Sequence, residues 1–457
     1  MNGQRESLNT RLGFILLSVG CAVGLGNIWR FPYITGVYGG GMFVLLYLLF
    51  LLLFGYPLLS IELSIGRAGR ANLVGSIRNI SGNRRRWVIP AKIAFAGNLL
   101  LMMFYTTITG WLVAYAVKYA NNSMMQSVSP AESAEVFARL AASPGTSAAY
   151  MLVIVCVASL ICGCGLQKGV ESSVKVMMSL LFVLIFALAV YALTLPNAMA
   201  GVKFYLYPDV SKFADKIGET IFAAMGQAFF TLSLGVGSMA IFGSYIDRKR
   251  RIGGEAVTII ALDTIVALFA GLIIFPICFS FGVDPGQGPD LIFVSLPPAF
   301  ATMQTGRFVG ALFFTFMSLA AVTTVVAVLE NLIAYFIDEH RFSRKKASLS
   351  VGIGVMLLSL PCVFGFNIWK QFQPLGKGSN ILDLEDFVVS QNLLPLGALM
   401  MLLFVFSKNG MGWKNFMIEV NSGKGMSFSE KWYWYLRFIL PVLLLVVFLV
   451  GYVQKFA

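Results

Sequence analysis

An all-α polytopic membrane protein of about eleven transmembrane helices, arranged as two five-helix repeats of opposite orientation plus one extra helix, is the fold this sequence predicts. Three observations carry that prediction. Of 457 residues, 58% are hydrophobic and only 12% charged, against the ~25% charged typical of soluble domains. Apolar segments of spanning length recur at residues 12–36, 41–66, 88–120, 149–165, 172–195, 220–245, 256–282, 307–338, 347–366, 381–407 and 435–453. Two of these, the first and the sixth, are interrupted at mid-span by a Gly-x-Gly.

The first segment, LGFILLSVGCAVGLGNIWRFPYITG, breaks at Gly24-Leu25-Gly26-Asn27 and places Arg30 one turn later. Gly costs about 1 kcal/mol against Ala in a helix interior, and a charge near the bilayer centre costs roughly 2.5–3.5 kcal/mol or more. Irregular backbone at that depth is tolerated only where it is buried in protein or lines a cavity. The stretch therefore reads either as a Gly-rich packing face or as a broken helix whose freed backbone holds a ligand. Five segments later, GQAFFTLSLGVGSMAIFGSY repeats the pattern, with Gly235-Val236-Gly237 preceded by Thr231 and Ser233. Interrupted helices at corresponding places in two halves point to an inverted-repeat transporter. Because five is odd, the second unit sits upside down, and the site falls at the midplane between the breaks.

The charges supply orientation and exclusions. Of the 34 Lys and Arg, 24 fall in loops on the side of the N-terminus and nine on the other, Arg30 being the last. This bias predicts a cytoplasmic N-terminus and an outside C-terminus in the cell inner (plasma) membrane. The net charge of +13 then faces the inner leaflet, and nucleic acid is not needed to explain it. No Lys precedes Ser or Thr, so a Walker A phosphate loop is absent, and the single His, His340, lies in a basic loop. With no nucleophile–base pair or cofactor motif, an enzyme is not expected, and transport must be driven by ions rather than ATP. Asp263, inside TIIALDTIVALFAG, is a functional candidate because an intramembrane carboxylate needs a reason. An ion pair with an unseen partner is its other reading. Six Cys lie in or beside apolar runs, which argues against a disulfide framework.

Five motifs resemble the neurotransmitter:sodium symporter family, in its bacterial amino-acid transporter branch with a LeuT-like fold. They are RLGFILLSVGCAVGLGNIWRFPY at 11–33, the Tyr105 region, GQAFFTLSLGVG at 226–237, AAVTTVVAVLEN at 320–331 and LDLEDF at 382–387. The resemblance runs through nearly the whole chain. It implies one transporter domain, 1–457, with repeat one at 11–196, repeat two at 219–407 and an extra helix at 435–453.

The resemblance also implies two sodium ions, hard cations that take oxygen ligands. One would be held by the Ala22 carbonyl, Asn27, Thr231, Asp263 and the substrate carboxylate. The other would be held by the Gly20 and Val23 carbonyls with Ala320, Thr323 and Thr324, although Thr323-Thr324 alone also reads as ordinary intrahelical bonding. Chloride-dependent relatives have neutral residues near the Asp263 position. A fixed carboxylate there, with Tyr47 and Gln227 nearby, implies that chloride is not required.

Monoamine carriers of the family have an acidic residue where this chain has Gly24, so the implied substrate brings its own carboxylate and is an α-amino acid. That carboxylate would meet the Tyr105 hydroxyl, the nearer sodium and the amides around Leu25 and Gly26. The ammonium would meet carbonyls of Ala22, Phe230 and Thr231 and the Ser233 hydroxyl. A side-chain pocket of Leu101, Tyr105, Phe230, Val236, Thr324 and Val328 implies a neutral, hydrophobic or aromatic L-amino acid.

The implied gates are Arg30 with Asp386 above a Tyr105–Phe230 lid, and Arg5 with Asp338 on the inner side near Ser244-Tyr245. Exposed ion pairs are worth only about 0–1 kcal/mol, which suits contacts broken in every cycle. Glu62 is expected to bond the broken backbone of the sixth span. Ser179 stands where some relatives have a Pro in the fifth. The expected function is sodium-coupled amino-acid symport by alternating access, with the amino acid and the lipid bilayer as partners and the oligomeric state left open. The alternatives are a proton-coupled carrier with Asp263 and Glu62 as relays, and a non-transporting amino-acid sensor.

Overall fold

The computed structural model describes residues 6–124, 129–210, 216–288 and 290–456. Among these, nine helices are long and apolar enough to cross a bilayer: Gly41–Gly69, Arg85–Ala120, Pro144–Gly163, Leu166–Leu193, Ile252–Phe281, Gly306–His340, Arg344–Phe364, Ile381–Phe406 and Trp432–Val453. The pair Arg11–Ala22 and Gly26–Val37 forms a further span bent by 55°. The remaining expected span, the sixth, is present as two pieces, Ile217–Thr231 and Ser238–Tyr245. Every segment read from the sequence is therefore helical, and both expected breaks occur. Ser179 lies within the uninterrupted helix Ser172–Leu193.

The first span starts cleanly because Thr10 caps it, its hydroxyl accepting the Gly13 N–H at 3.0 Å. Its end is a diversion of donors. In a continued α-helix, the Gly24 and Leu25 N–H groups would bond to the carbonyls of Gly20 and Cys21. Instead Gly24 N–H donates to Asn27 Oδ1 at 3.3 Å and Leu25 N–H to the Tyr105 hydroxyl at 3.1 Å. The chain resumes as a π-turn over Gly26–Arg30, and a second α-segment follows from Phe31.

The sixth span stops differently. Ser233, Gly235 and Gly237 take φ of 50°, 104° and 81°, a left-handed region costly for residues with a Cβ. At Gly235 a Cβ would also overlap the Leu394 carbonyl. The exposed amides are taken by Glu62, as expected: Gly235 N–H and Met239 N–H donate to its two oxygens at 3.1 and 2.9 Å. Asn98 completes the brace, donating to the Val236 carbonyl at 2.7 Å and accepting from Ser238 Oγ at 2.6 Å.

The two breaks face each other. Gln227 Nε2 donates to the Gly26 carbonyl at 2.7 Å, and the Phe230 ring packs so closely on Gly26 that a Cβ there would sit 3.0 Å from it. The two ends of the bundle differ. At the end carrying the N-terminus, Arg344 binds the buried Glu330 at 2.8 and 3.0 Å and also reaches Glu6. Tyr245 donates to Glu330 at 3.0 Å. Glu171 accepts from the Asn9 N–H and the Thr10 hydroxyl at 2.8 and 3.0 Å, and Arg11 pairs with Glu255 at 3.0 Å. The same end holds a strap, Trp413–Val420, whose Glu419 pairs with the buried Arg67 at 2.7 Å. At the opposite end lies an open cavity of about 360 Å³.

Candidate functional site

Between the breaks is a small cavity of about 20 Å³, room for about one water molecule. Of the expected substrate residues, Ala22, Gly24, Leu25, Gly26, Leu101, Tyr105, Phe230, Ser233 and Thr324 line it. Thr231, Val236 and Val328 do not, the Thr231 hydroxyl being turned to Asp263. Val236 sits in the turned backbone of the sixth span, its side chain against Gly97 of the third, and Val328 is buried in the eighth span. Their places are taken by Cys21, Val389 and Leu394, which the sequence reading missed. Val389 lies three residues beyond Asp386, on the same helical face, so the spacing after LDLEDF was a usable signal.

Leu25, Tyr105 and Phe230 line both this cavity and the large vestibule beyond it. They therefore form the partition between the two; Tyr105 and Phe230 are the residues read as a lid, and Leu25 joins them.

A first oxygen cluster lies beside the break. Thr231 Oγ1 donates to Asp263 Oδ2 at 3.1 Å and stands 3.5 Å from the Tyr47 hydroxyl, while Asn27 Nδ2 donates to the Asp263 backbone carbonyl at 3.3 Å. Asp263 is 0% exposed, and its Oδ1, like the Oε1 of Gln227, has no hydrogen-bond partner among the described residues. A buried, unpartnered carboxylate oxygen is costly, and a bound cation or a proton would satisfy it. Asn27 Oδ1 is engaged by Gly24 N–H, so it retains one lone pair for such an ion.

The second cluster consists of neutral oxygens alone. Thr324 Oγ1 lies 3.1 Å from the carbonyls of Gly20 and Val23 and 3.2 Å from that of Ala320. One hydroxyl proton serves one carbonyl at a time, so lone pairs are in excess and the geometry suits a cation. Thr323 is turned instead to its own helix, donating to the Ala320 carbonyl at 2.9 Å.

The gates need correction. Arg30 and Asp386 line the same vestibule, but no ion pair joins them among the described residues. The Arg30 guanidinium lies over the Phe230 ring, 4.4 Å from its centre, and Asp386 accepts from Ser390 at 2.6 Å. Each charge thus has a nearer partner while the vestibule is open. At the other end Arg5 lies outside the described residues. Asp338 accepts from the Asn72 backbone and side chain at 2.8 and 3.0 Å. The Glu330–Arg344 pair at that end was also missed. Its signal was a carboxylate inside the apolar eighth span.

Two helices broken opposite each other, with their freed backbone facing one cavity, define a secondary transporter of the inverted-repeat class. The profile described as "Sodium:neurotransmitter symporter family" matches residues 5–139 and 138–456. The chain is 37% identical over 442 residues to "Uncharacterized sodium-dependent transporter YhdH" of Bacillus subtilis, covering 96% of each. It is 32% identical over 458 residues to an "Uncharacterized sodium-dependent transporter" of Haemophilus influenzae, covering 98% of each. Among solved structures, MhsT in complex with L-phenylalanine superposes with a TM-score of 0.87 at 37% identity, covering 98% of this chain and 100% of that one. The chain belongs to the sodium:neurotransmitter symporter family. It is a sodium-dependent, multi-pass membrane transporter, not an enzyme.

Proposed function

We propose that this protein imports a neutral, hydrophobic or aromatic L-amino acid together with two sodium ions, without a chloride requirement, through a plasma membrane with its N-terminus inside. The observation that carries the reading is the first cluster, where an unpartnered Asp263 oxygen adjoins Thr231 and Asn27 at the mouth of the first-span break. One sodium would sit there and share the substrate carboxylate. The second would take the Gly20, Val23 and Ala320 carbonyls with Thr324.

Substrate recognition follows from what the small cavity offers. Its walls are apolar and carry no charge, with the Tyr105, Ser233 and Thr324 hydroxyls as the polar side-chain groups. The Tyr105 hydroxyl, already accepting from Leu25 N–H, can donate its proton to a carboxylate. The solved relative MhsT holds L-phenylalanine, which supports an aromatic substrate. A cavity of one water's volume must expand to admit any amino acid, and the Phe230 and Tyr105 rings are the movable walls.

The difference between the two ends supports alternating access. The tie of the N-terminal end by Arg344–Glu330 and Arg11–Glu255, with the vestibule open opposite as far as the Leu25–Tyr105–Phe230 partition, supports reading this arrangement as an outward-facing carrier whose site is closed off. Closing would bring Arg30 off Phe230 towards Asp386. Two sodium ions descending ~100 mV and a tenfold gradient supply roughly 7 kcal/mol, enough for about a 10⁵-fold accumulation.

Uptake of radiolabelled neutral amino acids into proteoliposomes tests this. It should rise with sodium with a Hill coefficient above one and be unchanged when gluconate replaces chloride. Equal uptake in potassium alone would refute sodium coupling, and loss of uptake in gluconate would refute the chloride assignment. Uptake that follows a proton gradient without sodium would favour the proton-coupled alternative.

A further inference from the structure

The motif LDLEDF brings three carboxylates into one turn at the start of the tenth span, and two of them are accounted for. Asp383 accepts the Asn380 N–H at 2.8 Å and completes a capping box. Asp386 accepts from Ser390 and lines the vestibule. Glu385 is different. It does not line that vestibule, is 5% exposed, and among the described residues neither of its carboxylate oxygens meets a nitrogen or oxygen donor, the Cys362 thiol being its hydrogen-bonding neighbour.

Its surroundings are known from each packed element. The helix Arg344–Phe364 contributes the buried Cys362 thiol, which also adjoins the Thr107 hydroxyl of the helix Arg85–Ala120. Thr107 is only weakly engaged, 3.5 Å from the Met103 carbonyl. The following turn, Phe387–Leu393, carries no ionisable side chain. On its own turn Asp383 and Asp386 occupy other faces. Among the described residues, no Lys, Arg or His forms an ion pair with Glu385.

We propose that Glu385 is a proton-binding site, filled from the vestibule side and occupied while the vestibule is open. A carboxylate ion here would be buried with only a weak thiol donor and no cation, whereas the acid form is neutral and can donate its O–H to the Cys362 sulfur or the Thr107 oxygen. Sodium fits less well, because one hydroxyl and one thiol are too few hard ligands. Protons have a short route, since Leu382, Asp383 and Asp386 of the same turn line the vestibule. Loss of the proton places a charge between the third, ninth and tenth spans. That charge displaces the turn carrying Asp386 and depletes the open state, so alkaline medium on the vestibule side slows uptake.

The proposal rests on the transporter reading for its uptake arm alone. The binding arm is independent of it: in purified protein in lipid nanodiscs, the infrared carbonyl band of protonated carboxylic acids at neutral pH should be smaller in Glu385→Gln than in wild type. In right-side-out vesicles with internal pH clamped, wild-type uptake should fall several-fold as external pH is raised. Glu385→Gln, a permanent mimic of the acid form, should show a flat profile over the same range. Glu385→Met, apolar and of similar length, should match it if the amide is poorly accommodated. An infrared band identical in wild type and Glu385→Gln, or one abolished by sodium at fixed pH, would overturn the proposal. So would external-pH profiles that coincide in all three proteins.

Discussion

The two breaks at the centre of the molecule are held open by opposite means. In the first span, neutral groups do it: the Asn27 amide and the Tyr105 hydroxyl each take a backbone N–H that the helix would have used. The carbonyls left behind keep spare lone pairs. In the sixth span, a full carboxylate, Glu62, takes two N–H groups, and three residues with positive φ carry the chain round. One break therefore shows acceptors to whatever enters, and the other has its donors consumed by protein. The cation sites proposed above lie with the first; the second is braced by protein groups.

The sharpest way to break that comparison is to remove the brace. Glu62→Ala leaves the Gly235 and Met239 amides buried without an acceptor, at about 1–3 kcal/mol each, a large part of a typical 5–15 kcal/mol stability. The expected outcome is a strong drop in the yield of monodisperse protein and in its melting temperature in detergent. Glu62→Gln, which keeps one acceptor oxygen, should lose less. Unchanged melting in the Ala variant would show that the sixth break holds itself.

Next in size is Gly24→Asp. A Cβ at this position would overlap the Tyr105 hydroxyl and stand 2.8 Å from Thr324 Oγ1. The added carboxylate would also repel the substrate's own in a low-dielectric site. Uptake and binding of radiolabelled amino acid should both vanish in a protein that still elutes as folded. Near-normal affinity would place the substrate somewhere other than the first break.

Asp263→Asn separates the charged cluster from the neutral one. It keeps an oxygen for sodium but removes the negative charge, and a loss of about 1.4 kcal/mol would mean roughly tenfold weaker uptake. Added chloride should restore part of it, with Tyr47 and Gln227 nearby to shape an anion site. Uptake by Asp263→Asn equal to wild type at every chloride concentration would deny the carboxylate its role.

The smallest effects distinguish the paired threonines. Thr324→Val removes the hydroxyl at which three carbonyls meet, so the sodium concentration for half-maximal uptake should rise several-fold. Thr323→Val removes a hydroxyl spent on its own helix and should change that value by no more than about twofold, within the ±0.5 kcal/mol typical of a substitution away from a key contact. The reverse order would return Thr323 to the ion.

Legibility in the sequence followed cost. Glycines, an amide and charges inside apolar segments are expensive, so Gly24, Gly26, Asn27, Gly235, Gly237, Glu62 and Asp263 stood out against their surroundings. The structure places all of them at or beside the breaks. Apolar residues inside apolar helices carry no such signal. Hence Val236 and Val328 were assigned to a pocket that Cys21, Val389 and Leu394 in fact line. The buried Glu330 and Glu385 did bear the signal, but nothing in one sequence says which helix a side chain meets.

What the sequence determined by itself was the membrane class, the helical apolar segments and the positions of both breaks. These depend on local hydrophobicity and on backbone preferences of individual residues, and both are written in order along the chain. Only the tertiary structure decided which partner each polar group takes. Arg30 rests on Phe230 rather than Asp386, Thr324 rather than Thr323 faces the first span, and Glu385 has the Cys362 thiol beside it but no ion-pair partner among the described residues. Those outcomes depend on distances of a few ångströms between residues far apart in sequence, set by how the helices pack.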